Sequence, residues 1–361
     1  MKVLITALWL SALFLPFAGL RASLILFVAV LGIGMLIKPL KKAFSLLRGR
    51  VKPPAIPPQL LQTAVFSALL VLPFVGSSYV VDVAVLTGIY IILALGLNIV
   101  VGYAGLLHLG FAAFYAIGAY SYALINTKLG LGFWGAMPLS LGCATVSGFI
   151  LGIPALRLRG DYFAIVTLGF GEITRLVLNN WDTLTNGPNG ISGIEAPGFM
   201  GLSLGGLVPY YYFVLGLALL SAFLIKRLYG SRIGRAWAAI REDEVAASAM
   251  GINTTAYKLY AIASGAFFGG LAGVLFAAKM RFVSPESFTF MESVFIVCMV
   301  IVGGMGSIHG VALGALLLVA GPEMLREFQN YRMLALGAGL VLVMIFRPQG
   351  LFGGRGVSLR S

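Results

Sequence analysis

The side chains able to do chemistry are few, and they fall in short clusters. Three of the twelve acids follow one another as Glu242, Asp243 and Glu244, inside IREDEVAASAMG at 240–251. Glu172 and Arg175 stand three apart in RLRGDYFAIVTLGFGEITRLVLNN at 157–180. The two histidines, His108 and His309, each close a copy of the pattern G-x-x-G-x-[LI]-H, in GYAGLLH (102–108) and GGMGSIH (303–309). Carboxylates and imidazoles are the material of acid–base and metal chemistry. The spacing here supports neither. There is no G-x-x-x-x-G-K-[ST] phosphate loop and no H-E-x-x-H. Cys143 and Cys298 both lie in apolar runs, read as small buried hydrophobic side chains. No catalytic residue, metal or cofactor is expected, and the chain is not expected to hydrolyse ATP itself.

The elements that must hold these residues are set by composition. Hydrophobic residues make up 60% of the 361 positions and charged residues 10%, against about 45–50% and about 25% in soluble domains. The expected fold class is all-α: a polytopic membrane protein with about ten core transmembrane helices and an N-terminal two-helix extension. The apolar runs predict spans over 3–20, 23–37, 59–75, 83–101, 104–125, 133–156, 162–179, 208–226, 256–278, 291–303, 308–321 and 332–346. The basic start at Met1 is read as an uncleaved first span, since no convincing cleavage site follows. VKPPAIPPQ at 51–59 reads as an extended linker. The division is therefore 1–58 as extension and linker, 59–354 as core, and 355–361 as tail.

Charge orients the spans. The net charge of +13 would point to nucleic acid in a soluble chain. Here the basic residues sit between spans, so a lipid bilayer is the expected partner and nucleic acid is not. Residues 38–52, 226–241 and the tail carry the Lys and Arg, whereas 180–207 has none. The basic loops and both termini are expected in the cytoplasm, with 180–207 outside. With that parity, two short passes or a re-entrant pair over 291–321 fit better than one long span. Lys279 and Arg281 fall outside, against the charge rule.

The glycine-rich breaks interrupt apolar sequence at Gly102, Gly105 and Gly110, and again at Gly303, Gly304 and Gly306. Clustered glycine destabilises helix. Paired breaks in two halves of a chain mark a translocation path, or else close packing through small residues. The histidines are read as packed or boundary residues. Asp161 suits an N-cap, with Arg157 and Arg159 at the membrane boundary. Glu172 lies roughly 16 Å further along that helix. A carboxylate at that depth needs a partner, and Arg175 shares its face. An intramembrane ion pair is expected, with a direct role in the path as the alternative.

The acidic triplet favours the positive end of a helix beginning there, and Gly251 is a natural stop. Three adjacent acids suit an anionic inner leaflet poorly, so a docking element for a cytoplasmic protein is preferred to a surface-lying helix. EVAASAMG resembles the E-A-A-x-x-x-G loop of ABC-importer permeases, with Val245 displacing the pattern by one position. RLRGDYFAIVTLGFGEI, GPNGIS, SRIGRAWAAIREDE, SPESFTF, GGMGS and FRPQGLFG, in that order, resemble the LivM-type permease of the high-affinity branched-chain amino-acid importer, over about residues 82–353. The resemblance implies a second, LivH-like permease, two cytoplasmic ABC ATPases and a periplasmic binding protein delivering leucine, isoleucine or valine at a bacterial inner membrane. It carries Glu244, Ala246, Ala247 and Gly251 over as the ATPase-contact loop, beside Glu242 and Asp243. Related permeases carry urea, short amides or other hydrophobic amino acids. An integral-membrane enzyme or scaffold is the reading from another class; a scaffold would not need the paired breaks, and the catalytic spacing of an enzyme is absent.

Overall fold

The structure, a computed structural model, describes residues 58–155, 161–199, 202–203 and 205–324, with isolated positions from 337 to 351. The expected spans over 3–20, 23–37 and 332–346, the linker up to residue 57, Arg157, Arg159 and the 355–361 tail lie outside the described residues. The chain divides into two units, Met1–Leu69 and Leu70–Ser361.

The fold is all-α. Helix α1 spans Pro58–Val75 and α2 spans Ser78–Asn98, the latter running on through a π-helical turn at Ile99–Tyr103. Then come α3 (Ala112–Leu129), α4 (Phe133–Ala155), α5 (Asp161–Asn180) and α6 (Leu207–Tyr229). Two short helices follow, α7 (Arg232–Glu242) and α8 (Glu244–Ala249), before the long α9 (Thr254–Met280). Helices α10 (Phe290–Gly303) and α11 (Ile308–Met324) follow. Among the described residues, Ser78–Tyr103, Phe133–Pro154, Leu207–Tyr229 and Thr254–Met280 are long and apolar enough to cross a membrane. The chain over 291–321 does form two short helices. They make an antiparallel hairpin, Gly303 lying against Gly310 and Gly314 against Met299.

The span expected over 104–125 needs correction. Helix begins only at Ala112, and residues 104–111 are non-helical. The apolar run hides the boundary because leucine at 106, 107 and 109 suits either state, while Gly105 turns the backbone at φ +72°. The N-cap expected at Asp161 falls where α5 enters the described residues, with 156–160 outside them.

Helix α9 is the axis of the core, buried along most of its length and packed on α2, α3 and α4. Its Gly265, Gly269, Gly270 and Gly273 let neighbouring backbones approach: a Cβ on Gly270 would overlap Ala144, and one on Gly273 would overlap the Tyr115 carbonyl. Lipid offers no hydrophobic drive between helices, so such close packing is what holds them. Lys279, near the end of α9, pairs with Asp82 at 3.0 Å and donates to the Asp82 carbonyl at 3.2 Å. Its charge is balanced within the protein.

At that same end, the described residues of 180–207 include short strands. A strand β1 (Ile191–Ser192) is followed by a β2–β3 hairpin (Gly198–Phe199, Leu202–Ser203). Strand β1 pairs antiparallel with β4 (Phe282–Val283), Ile191 opposite Val283. Asn126 holds the segment from α3, accepting from Glu195 N at 2.9 Å, and Trp134 of α4 donates to the Gly198 carbonyl at 2.7 Å.

Candidate functional site

The two glycine breaks meet in space. Below Asn98, α2 widens: Ala104 N bonds Ile99 O at 3.1 Å and Leu106 N bonds Val100 O at 3.0 Å. Gly105 then turns the chain away. The second break turns at Gly304 (φ +109°) and Gly306 (φ +86°) before α11 restarts. A Cβ on Gly102 would stand 2.6 Å from Gly306 N, so only glycine permits this approach. Gly303 lies against Gly310 of the hairpin, and Gly110 against Thr167 and Gly171 of α5. Every one of these contacts is backbone against backbone.

Unwound backbone at membrane depth must find partners inside the protein, and four side chains supply them. Thr167 of α5 accepts from Leu109 N at 3.1 Å, and Ser293 of α10 accepts from Ala112 N at 3.0 Å. Asn98 accepts from Gly306 N at 2.8 Å, across 208 positions of sequence. Arg241, the last residue but one of α7, donates from Nη1 to the Gly102 carbonyl at 2.5 Å. The final carbonyls of a helix have no amide to accept from, and the helix dipole makes that end negative. A guanidinium there satisfies both demands. A hydrogen bond of this charged kind contributes roughly 1.5–3 kcal/mol where solvent is excluded, less at this part-buried site.

The charged patch is an elbow of two helices, a refinement of the single helix expected there. Ser231 caps α7, accepting from Ile233 N at 3.2 Å. Glu242 ends α7, and Asp243 takes extended backbone (φ −156°, ψ 112°). The Asp243 side chain then caps α8, accepting from Val245 N at 2.8 Å and Ala246 N at 3.0 Å. Glu244, first residue of α8, forms an ion pair with Lys258 of α9 at 2.5 Å, and that lysine side chain is only 7% exposed. Gly251 follows at φ +83° with open space around it, and Ile252 N returns to the Ala247 carbonyl at 3.1 Å. Trp237, fully buried, anchors α7 by donating to the Tyr257 carbonyl of α9 at 2.7 Å. Ala247 is buried while Ala246 is exposed, and the apolar Val245 and Met250 are exposed at 69% and 83%.

Glu172 and Arg175 stand 3.1 Å apart on α5, both half-buried, and Arg175 reaches Glu286 at 3.9 Å. Glu172 borders a narrow cleft of about 180 Å³ including its open mouth, between Gly110, Gly171, Phe290 and Ser293. Ligand pockets are larger, about 300–1,000 Å³. The two histidines have unlike settings. His108 is fully buried among Phe111, Phe114 and Phe163, its two nitrogens without hydrogen-bond partners; His309 is exposed. The repeated motif therefore places glycines alike and histidines differently. Cys143 is exposed rather than buried.

Sequence reasoning passed over Arg241 as one loop charge among several, and over Asn98, Thr167 and Ser293 altogether. A lone asparagine in the apolar run 83–101 is a signal, since polar groups in lipid are costly unless they have a task. Single hydroxyls carry no such signal, because Thr and Ser satisfy themselves against their own helix, as Thr87 does on the Val83 carbonyl at 2.8 Å.

Comparison with known proteins supplies the lineage. The family model of the branched-chain amino acid transport system / permease component matches residues 79–345. The chain is 51% identical over 311 residues to the high-affinity branched-chain amino acid transport system permease protein LivM of Escherichia coli (strain K12), covering 79% of this chain and 73% of that protein. The probable LivM permease of Methanocaldococcus jannaschii is 26% identical, over 73% of this chain and 90% of its own length. LivH of Escherichia coli (strain K12), a permease protein of the high-affinity branched-chain amino acid transport system, is also 26% identical, over 73% of this chain and 91% of its own. No solved structure matches. With 267 consecutive residues spanned by the family model, and the elbow and both breaks inside that region, the chain belongs to the branched-chain amino acid transport system permease family.

Proposed function

We propose that this chain is a transmembrane permease subunit of an ATP-driven ABC importer for leucine, isoleucine and valine. It works beside a second, LivH-like permease in a bacterial inner membrane. Two cytoplasmic ABC ATPases hydrolyse the ATP, and a periplasmic binding protein delivers the substrate. Residues 59–354 form the permease core, 1–58 an added two-span extension and 355–361 a tail, with both termini cytoplasmic.

The observation that carries this reading is the position of the α7–α8 elbow against both helix breaks. An importer powered from outside its own chain needs a surface that receives force and a core that yields to it. The exposed residues of the elbow, Glu242, Asp243, Val245, Ala246, Met250 and Gly251, form the surface on which an ATPase docks, while Glu244 holds the elbow to α9 through Lys258 and Ala247 is buried. The glycines Gly102, Gly105, Gly110, Gly303, Gly304 and Gly306 are the part of the core that rearranges to line the path, in alternating access. The Glu172–Arg175 pair keeps a carboxylate neutralised at the edge of the cleft. The path itself forms against the second permease, in keeping with the small size of the cleft within this chain.

The test is uptake of labelled leucine by proteoliposomes containing this chain with its partners. ATP-dependent accumulation of leucine, isoleucine or valine is the expected result. Accumulation of another solute alone would replace the cargo assignment, and the absence of any ATP-dependent uptake would overturn the transport reading.

A further inference from the structure

The elbow touches the core breaks through one long side chain. Arg241 projects from the end of α7, one residue before the acidic triplet, and its guanidinium lies on the Gly102 carbonyl. Its stem fills the space beside the other break residues. A Cβ on Gly105 would stand 3.0 Å from Arg241 Cγ, and one on Gly306 would stand 3.4 Å from Arg241 Nη1. Gly306 in turn donates to Asn98 at 2.8 Å, one turn before Gly102. Arg241, the π-turn and the α10–α11 turn therefore share a single contact point. The remainder of the elbow is fastened to α9 instead, through Trp237 and Lys258.

Resting on the importer reading above, we propose that Arg241 is a positioning residue: it ties the α7–α8 elbow to both helix breaks, so that displacement of the elbow moves them together. The geometry favours a tie over a surface ion pair. The acceptor is a helix-end carbonyl with no amide of its own to accept from, and a planar guanidinium spans a gap that an ammonium cannot fill in the same way. Because Gly102 and Gly306 are joined through Asn98, a pull at one break reaches the other.

Two arms test this in the reconstituted complex with all partners. In the first, Arg241→Ala is compared with Arg241→Lys for labelled-leucine uptake and ATP hydrolysis, assembly being checked by co-purification. The expected result is that Arg241→Ala hydrolyses ATP yet takes up roughly tenfold less leucine per ATP, with Arg241→Lys in between. The second arm replaces Cys143 and Cys298 with serine and adds Gly105→Cys with Arg241→Cys. The Cβ positions are 3.4 Å apart, close to the about 3.5–4.5 Å of a disulfide. Oxidation is expected to restore uptake that reduction removes, because the covalent bond replaces the lost tie. An unchanged ratio of uptake to hydrolysis in Arg241→Ala would overturn the proposal, as would a cross-link that blocks uptake. A wild-type complex with no ATP-dependent uptake of any solute would overturn the importer reading, and this inference with it.

Discussion

Single side chains in this protein do their work by closing the hydrogen bonds of a backbone that the helices leave open. Ser293 is the sharpest case, since Ala112 N, at the start of α3, has it as partner at 3.0 Å. Ser293→Ala leaves a buried amide unpaired, at a cost of about 1–3 kcal/mol; denaturant unfolding of the purified protein in detergent is expected to show the loss, with Ser293→Thr milder. Gly110 tests the opposite fault. A side chain there overlaps the Thr167 backbone, and overpacking costs about 1–3 kcal/mol, so Gly110→Val is expected to lower the thermal midpoint and the folded yield. Glu244 tests charge. Glu244→Lys sets a second ammonium beside the buried Lys258, now 2.5 Å from the carboxylate. ATP hydrolysis and uptake in proteoliposomes are expected to uncouple while the chain still inserts; transport at the wild-type rate would remove Glu244 from the elbow's function.

At the scale of the element, the elbow is defined by its caps. Asp243 both terminates α7 and starts α8, so the bend belongs to one residue. Gly251 ends the unit at φ +83°. Open space surrounds it, so the cost of Gly251→Val is one of backbone conformation alone, on the order of 1–2 kcal/mol. That cost falls on the turn between α8 and α9, and the expected outcome is weakened co-purification of the ATPases with little change in the stability of the core. The acidic triplet was legible as a helix start. Its division between two helices was not, because three consecutive acids give no indication of which is the cap until the chain direction after each is known. The same holds for the first break. The glycines marked it, yet the non-helical stretch continues to residue 111 because α5 and α10 supply hydroxyls from far along the chain.

At the scale of the whole molecule, the described residues from 70 onward have two unlike ends. One carries the elbow and the exposed Met250; the other carries β1 and β4, with Ser192 exposed. With the native cysteines replaced by serine, a cysteine at 250 is expected to react with a membrane-impermeant maleimide only from the cytoplasmic side, and one at 192 only from the opposite side. Labelling of both from the same side would reverse the topology deduced from loop charge.

The sequence by itself determined the membrane-spanning helical class, the break of 291–321 into two short helices, the glycine breaks, the charged patch at 242–251 and, through its motifs, the family. These are local or compositional properties: apolar length, glycine spacing and the charge of a loop are fixed before the chain folds. Only the tertiary structure decided that the two breaks touch, that Asn98 joins them, and that Arg241 reaches the Gly102 carbonyl 139 positions away. Those contacts depend on how α2, α7 and the α10–α11 hairpin pack around α9. No local pattern encodes them, because a buried carbonyl or amide takes whichever donor or acceptor the packing of helices brings within reach.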